Sequence, residues 1–139
     1  MYVDQCQHTF EHLAHTVLPG YMEDLRTALK APKEAELFCL PRRGPATIIR
    51  ELGLVDDFSG CYVLLEKGRP IYVGISRGVI ARLRQHLVGK THFDASLAYR
   101  IAQRRVPTKG NRSAVMELPA FRAAFNEAQA HLRSLSVSF

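Results

Sequence analysis

No stretch of this sequence approaches the roughly 18 consecutive apolar residues that a membrane span requires. The opening MYVDQCQHTFEH has no basic segment followed by an apolar run, so no secretory leader is expected. Cysteine is scarce: Cys6, Cys39 and Cys61 lie far apart, are odd in number and form no CxxC. That pattern argues against a disulfide scaffold and for free thiols in a reducing compartment, with the cytoplasm as the expected location. Repeats, low-complexity tracts and long linkers are also missing. Acidic residues are outnumbered, 13 Asp and Glu against 19 Lys and Arg, which leaves a net charge of +6. A surplus of that sign suits a polyanionic partner, nucleic acid first, although alone it would equally describe any basic soluble protein. The chain has 139 residues, 47% of them hydrophobic and 23% charged, enough for one core.

The most informative stretch runs from Gly60 to Leu87, GCYVLLEKGRPIYVGISRGVIARLRQHL. Cys61 to Leu65 is a short apolar run rich in β-formers. Lys67-Gly68-Arg69-Pro70 supplies turn chemistry, and Ile71-Tyr72-Val73 is a second β-branched and aromatic run closed by Gly74. Two such runs around a glycine-containing loop predict a β-hairpin. Ser76 is a natural helix N-cap, and Val79, Ile80, Leu83 and Leu87 then recur at helical spacing. On this frame Tyr62 and Tyr72 sit on neighbouring strands. Arg82 and His86, four apart, project from one helix face. Two phenols, a guanidinium and an imidazole at a hairpin–helix junction form a plausible phosphate-handling set. Arginine grips phosphate bidentately, histidine relays protons near neutrality, and a phenol can orient a water, or deprotonate one if cations lower its pKa.

These residues resemble the core of the GIY-YIG endonucleases. Gly60-Cys61-Tyr62 stands for GIY, Tyr72-Val73-Gly74 for YIG, Arg82 falls where the family keeps its catalytic arginine, and His86 matches a histidine that some members carry. The resemblance covers roughly residues 59 to 105. It implies a metal-dependent endonuclease, with Mg²⁺ or Mn²⁺ as cofactor and DNA as the first substrate to consider. The catalytic residues it implies are Tyr62, Tyr72, Arg82 and His86. The family holds its metal with a glutamate on a helix after the arginine. Glu117, thirty-five residues beyond Arg82, is the candidate here. The competing expectation is that the domain is C-terminally incomplete and stops before that helix. Ser76, Arg77, Arg84 and Lys90 are the candidate nucleic-acid contacts beside the site. A basic run at Arg100, Arg104 and Arg105 continues that face.

Elsewhere, residues 5 to 30 read as helix, interrupted at Pro19-Gly20 as a kink or an α-hairpin. His8, His12 and His15 fall near one another there, but a solvated face is the simpler reading than a metal site. Thr47 to Gly53 predicts a short helix and residues 94 to 105 a longer one, capped by Asp94 or Ser96. Leu118-Pro119 opens a final helix with an apolar stripe from Phe121 to Leu135. Ser136 to Phe139 alternates at the period of a strand. The expected fold is therefore α/β (α+β): a small mixed β-sheet built on the hairpin and flanked by helices. Residues 1–58 form a helical extension packed on a core of residues 59–139. A non-catalytic nucleic-acid-binding module is the alternative function, and no membrane partner is expected.

Overall fold

The computed structural model describes residues 6–139; Gln5, with which the first helix was expected to begin, lies outside the described residues. Thr9 opens the first helix of the described residues, α1 (Phe10–His12), by accepting the His12 amide on its side-chain oxygen at 3.2 Å. A π-helical turn, Leu13–Val17, leads directly into α2 (Leu18–Leu29). The segment is therefore one rod, and Pro19-Gly20 does not interrupt it. Proline inside a helix lacks a donor and its ring collides with the carbonyl four residues back. Here the wider turn, in which the Leu18 amide reaches the Leu13 carbonyl, falls just before Pro19, and Pro19 sits in the first turn of α2.

A two-residue strand, β1 (Lys33–Glu34), and a 3₁₀ turn, Ala35–Phe38, follow, then α3 (Pro45–Glu51). The hairpin is β2 (Gly60–Glu66) and β3 (Arg69–Ser76). Its turn is only Lys67-Gly68, and both residues have positive φ, 50° and 77°, as a type I′ turn requires. Pro70 is thus a strand residue, tolerated because β3 is an edge strand. The register slips between Leu64 and Leu65, so Leu64 faces Tyr72 and Leu65 faces Pro70, with Ile71 bulged. Helices α4 (Val79–Val88), α5 (Ser96–Arg105), α6 (Arg112–Met116) and α7 (Pro119–Arg133) come next, and β4 (Ser136–Ser138) closes the chain.

The fold class is α/β, as expected. The sheet order is β1-β4-β2-β3, and every pairing is antiparallel, so the sheet is not of mixed direction. The chain enters β4 from α7 and runs against β2, which leaves no parallel crossover. One face of the hairpin, including Tyr62 and Leu64, packs on α4, whose Val79, Ile80, Leu83 and Leu87 are all buried. Helix α7 covers α4 with Phe121, Phe125 and Leu132, and α5 packs against α7 through the small buried Ala98 and Ala102. Ala35, Phe38 and Ile48 from the N-terminal segment enter the same core. Each buried Val, Leu, Ile or Phe among them contributes about 1.5–3 kcal/mol by leaving water. The opposite face of β3 is open, with Val73 62% and Ile75 84% exposed. Among the described residues no helix is long and apolar enough to cross a membrane.

Two capping expectations change. Ser76 does not cap α4; its hydroxyl is turned into a local loop with Gly78, accepting from the amide at 3.1 Å and donating to the carbonyl at 3.0 Å. Neither Asp94 nor Ser96 caps α5: its N-cap is Ala95, and the Ser96 hydroxyl accepts from Arg82 instead.

Candidate active site

The four residues singled out from the sequence meet where β2, β3 and α4 converge. Tyr62 on β2 lies opposite Gly74 on β3. Its ring crosses the strand over that glycine: a β-carbon at position 74 would stand 2.2 Å from Tyr62 Cζ and 2.3 Å from its hydroxyl oxygen. Gly74 therefore leaves the space over β3 in which the phenol lies, and no turn calls for it. Past that strand the Tyr62 hydroxyl and His86 Nε2 are 2.8 Å apart. Both side chains are about 1% exposed. Tyr72, on the same face, places its ring 6.2 Å from that of Tyr62 and 6.0 Å, edge-on, from that of His86.

Arg82, one turn before His86, is only partly buried. Its Nη1 donates to Gln85 Oε1 (2.9 Å) and the Asp94 carbonyl (3.1 Å), and its Nη2 to Ser96 Oγ (2.8 Å). The guanidinium is thus pinned to the head of α5 in a fixed orientation.

Burial sets the protonation of the buried pair. It pushes the Tyr62 phenol up to about 12, with a smaller push from Tyr72, and the Arg82 charge pulls the other way without prevailing. Burial, seconded by Arg82, pushes His86 down to about 4. At neutral pH the site holds an intact phenol and an uncharged imidazole. The condition for Tyr62 to take a proton, a pKa lowered by cations, is not met. His86 Nδ1 is buried without a partner. A buried N–H without an acceptor is rarer than an idle lone pair, which favours the tautomer protonated on Nε2. Nε2–H then donates to the Tyr62 oxygen, leaving the phenol's own hydrogen for Tyr72 or a ligand.

Helix α4 is held at both ends by residues that sequence reasoning missed. The Asp57 carboxylate accepts the Ile80 and Ala81 amides, each at 2.9 Å, neutralising the positive end of the helix. From α7, Gln129 donates to the Gly89 carbonyl (2.7 Å) and Arg133 to the Leu87 carbonyl (2.8 Å). Nothing in the spacing of these residues signals it, because each partner lies more than twenty positions away.

The outer candidates divide. Arg77 and Lys90 are exposed, and Ser76 and Arg77 line an open groove of about 540 Å³ with Gly60. Arg84 faces the other way: its Nη1 donates to the Phe38 carbonyl at 3.1 Å, tying α4 to the N-terminal segment, so it is no free phosphate ligand. Position 84 is two residues from 82 and 86, which turns it about 200° around the helix.

Glu117 ends α6, its side chain 81% exposed and 3.7 Å from Arg122. Mg²⁺ takes oxygen donors, carboxylates first. The cluster offers phenols, an imidazole and a guanidinium, and Asp57 is spent on amides. Among the described residues no three His, Cys, Asp or Glu side chains come together as a metal site, Glu117 and the exposed His8, His12 and His15 included. The cluster of Tyr62, Tyr72, Arg82 and His86 therefore supplies no carboxylate of its own to hold a divalent ion. No protein-family model, curated protein or solved structure matches this chain.

Proposed function

We propose that this chain handles the scissile phosphate in a metal-dependent endonuclease acting on nucleic acid, DNA first. One observation carries the reading: Tyr62, Tyr72, Arg82 and His86, distant in sequence, share one junction, with the imidazole 2.8 Å from the phenol and the guanidinium pinned beside them. On this reading Arg82 neutralises charge developing on the phosphate. Tyr62 orients the attacking water or a phosphate oxygen, Tyr72 binds a second oxygen, and His86 holds Tyr62 in place. Mg²⁺ or Mn²⁺, where such chemistry uses it, needs carboxylates from outside this cluster. Three free cysteines are compatible with a cytoplasmic setting.

A second reading, a nucleic-acid-binding module without cleavage, is favoured by the lack of a metal-ligand cluster among the described residues and by a Tyr62 that stays protonated at neutral pH. A plasmid-nicking assay with Mg²⁺ or Mn²⁺ separates the two. The nuclease reading expects nicking by the parent and a loss of about 10²–10³ in rate for Arg82→Ala. Salt-sensitive DNA binding without nicking leaves the binding module. Neither nicking nor binding sinks both.

A further inference from the structure

A cleft of about 750 Å³ opens beside the tyrosine cluster, walled by β3, α5 and the end of α7. Its apolar surfaces are Ile71, Leu97, Ile101 and Leu132, and Tyr72 belongs to both the cleft and the cluster. Arg100 and Arg104 edge it, four residues apart on α5 and both exposed. Among the described residues neither has an acidic partner. The acids nearby are spoken for: Glu127 pairs with Arg105 at 3.4 Å, and Glu66 with His131 at 3.1 Å.

Helix α5 sets these cations in line with Arg82. Its first residue, Ser96, holds the Arg82 guanidinium. Arg100 and Arg104 then follow at intervals of about 6 Å along the axis, a spacing comparable to that of successive phosphates on one nucleic-acid strand. The cleft has the size of a small-ligand site and would hold a nucleotide but no duplex. An aromatic rim, an apolar floor and a row of arginines together recognise an unstacked base with its flanking phosphates.

We infer that the cleft between β3 and α5 seats one unpaired nucleotide beside the phosphate at Arg82, with Arg100 and Arg104 on the next phosphates. This rests on the phosphate-handling reading of the Tyr62 cluster. It adds a preference for substrates with a single-stranded or frayed segment.

The test is fluorescence anisotropy with three labelled probes: a ten-residue oligo-dT, an abasic ten-mer of equal charge, and a blunt duplex. Proteins are the parent, Arg82→Ala and Arg100→Ala/Arg104→Ala. The arginine pair is exposed, so the double variant should melt like the parent. The parent should bind oligo-dT about tenfold more tightly than the abasic strand, the worth of one stacked base. The double variant should lower the slope of log K against log salt by about 1.4, two phosphates at ~0.7 each. Equal binding of dT and abasic strands, or an unchanged slope in the double variant, overturns the cleft. If Arg82→Ala still weakens binding in that case, the phosphate-handling reading survives alone. A parent that binds none of the probes removes both.

Discussion

Replacing Gly74 with alanine tests how the site is built. The new methyl would sit 2.2 Å from Tyr62 Cζ, 2.3 Å from its hydroxyl oxygen and 2.7 Å from Cε1. Carbon atoms rest about 3.5–4.0 Å apart, so the ring must retreat by more than about 1 Å. It has little room, being almost fully buried against Tyr72 and His86. Overpacking of this kind costs about 1–3 kcal/mol. Pulling the phenol from His86 adds about 1–3 kcal/mol for the buried polar atoms it abandons. The sum, about 4 kcal/mol, is a large share of the 5–15 kcal/mol typical of a domain. Backbone strain plays no part, because Gly74 is not among the glycines with positive φ. Urea unfolding should show a lower midpoint at unchanged m. Backgrounds separate the parts. With Tyr62→Leu all three clashing atoms are gone, and Gly74→Ala should cost less than about 1 kcal/mol. With Tyr62→Phe the ring clash stays while the hydrogen bond is already lost, so an intermediate cost is expected. An equal cost in all three backgrounds would refute the account, as would a parent cost below about 1 kcal/mol.

Other expectations follow from the same geometry. His86 is lowered from 6.5 to about 4 in the folded chain, so the unfolded chain binds more protons between those values and stability falls as pH drops below 6.5. The loss should be about 2 kcal/mol between pH 6.5 and 5; urea midpoints across that range would show it, and a His86→Gln variant that keeps the same slope would contradict it. Asp57→Ala should cost about 1–2 kcal/mol by stripping the cap of α4, with Asp57→Asn milder; equal midpoints for Asp57→Ala and the parent would count against the clamp. Arg84→Ala should destabilise by about 1 kcal/mol while leaving the salt dependence of DNA binding untouched. A reduced salt slope there would return Arg84 to the nucleic-acid face.

Much of the site is legible in local pattern. The two β-forming runs on either side of Lys67-Gly68 announce the hairpin, and a spacing of four sets Arg82 and His86 on one side of α4. The alternation of the last residues marks β4 even though it is three residues long. What escapes depends on distance or on shortness. The two-residue β1 exists only because β4 lies beside it, and α6, five residues long, carries too little periodicity to stand out. Pro19 reads locally as a break; the π turn that absorbs it has no compositional mark. The depth of Tyr62 is set by the absence of a side chain on another strand, and the bulge at Ile71 shifts Tyr72 in a way no spacing reveals. Asp57 reads as one more loop acid until Ile80 and Ala81 are seen above it. Arg84 reads as one more surface cation until the Phe38 carbonyl is seen beneath it.

The position of β4 has a consequence for how the chain comes together during synthesis. Residues 33–34 join the sheet only through residues 136–137, and the Ala35 amide bonds to the Leu135 carbonyl at 2.9 Å. The earlier of the two segments therefore waits about a hundred residues for its partner. The hairpin can zip early, since its contacts are local, but α4 lacks its C-terminal anchors until Gln129 and Arg133 emerge. Closing loops of that length before any reward makes the last step slow. Until that step, the nascent chain shows water an unfinished sheet edge and the apolar side of a helix, the surfaces on which chaperones act.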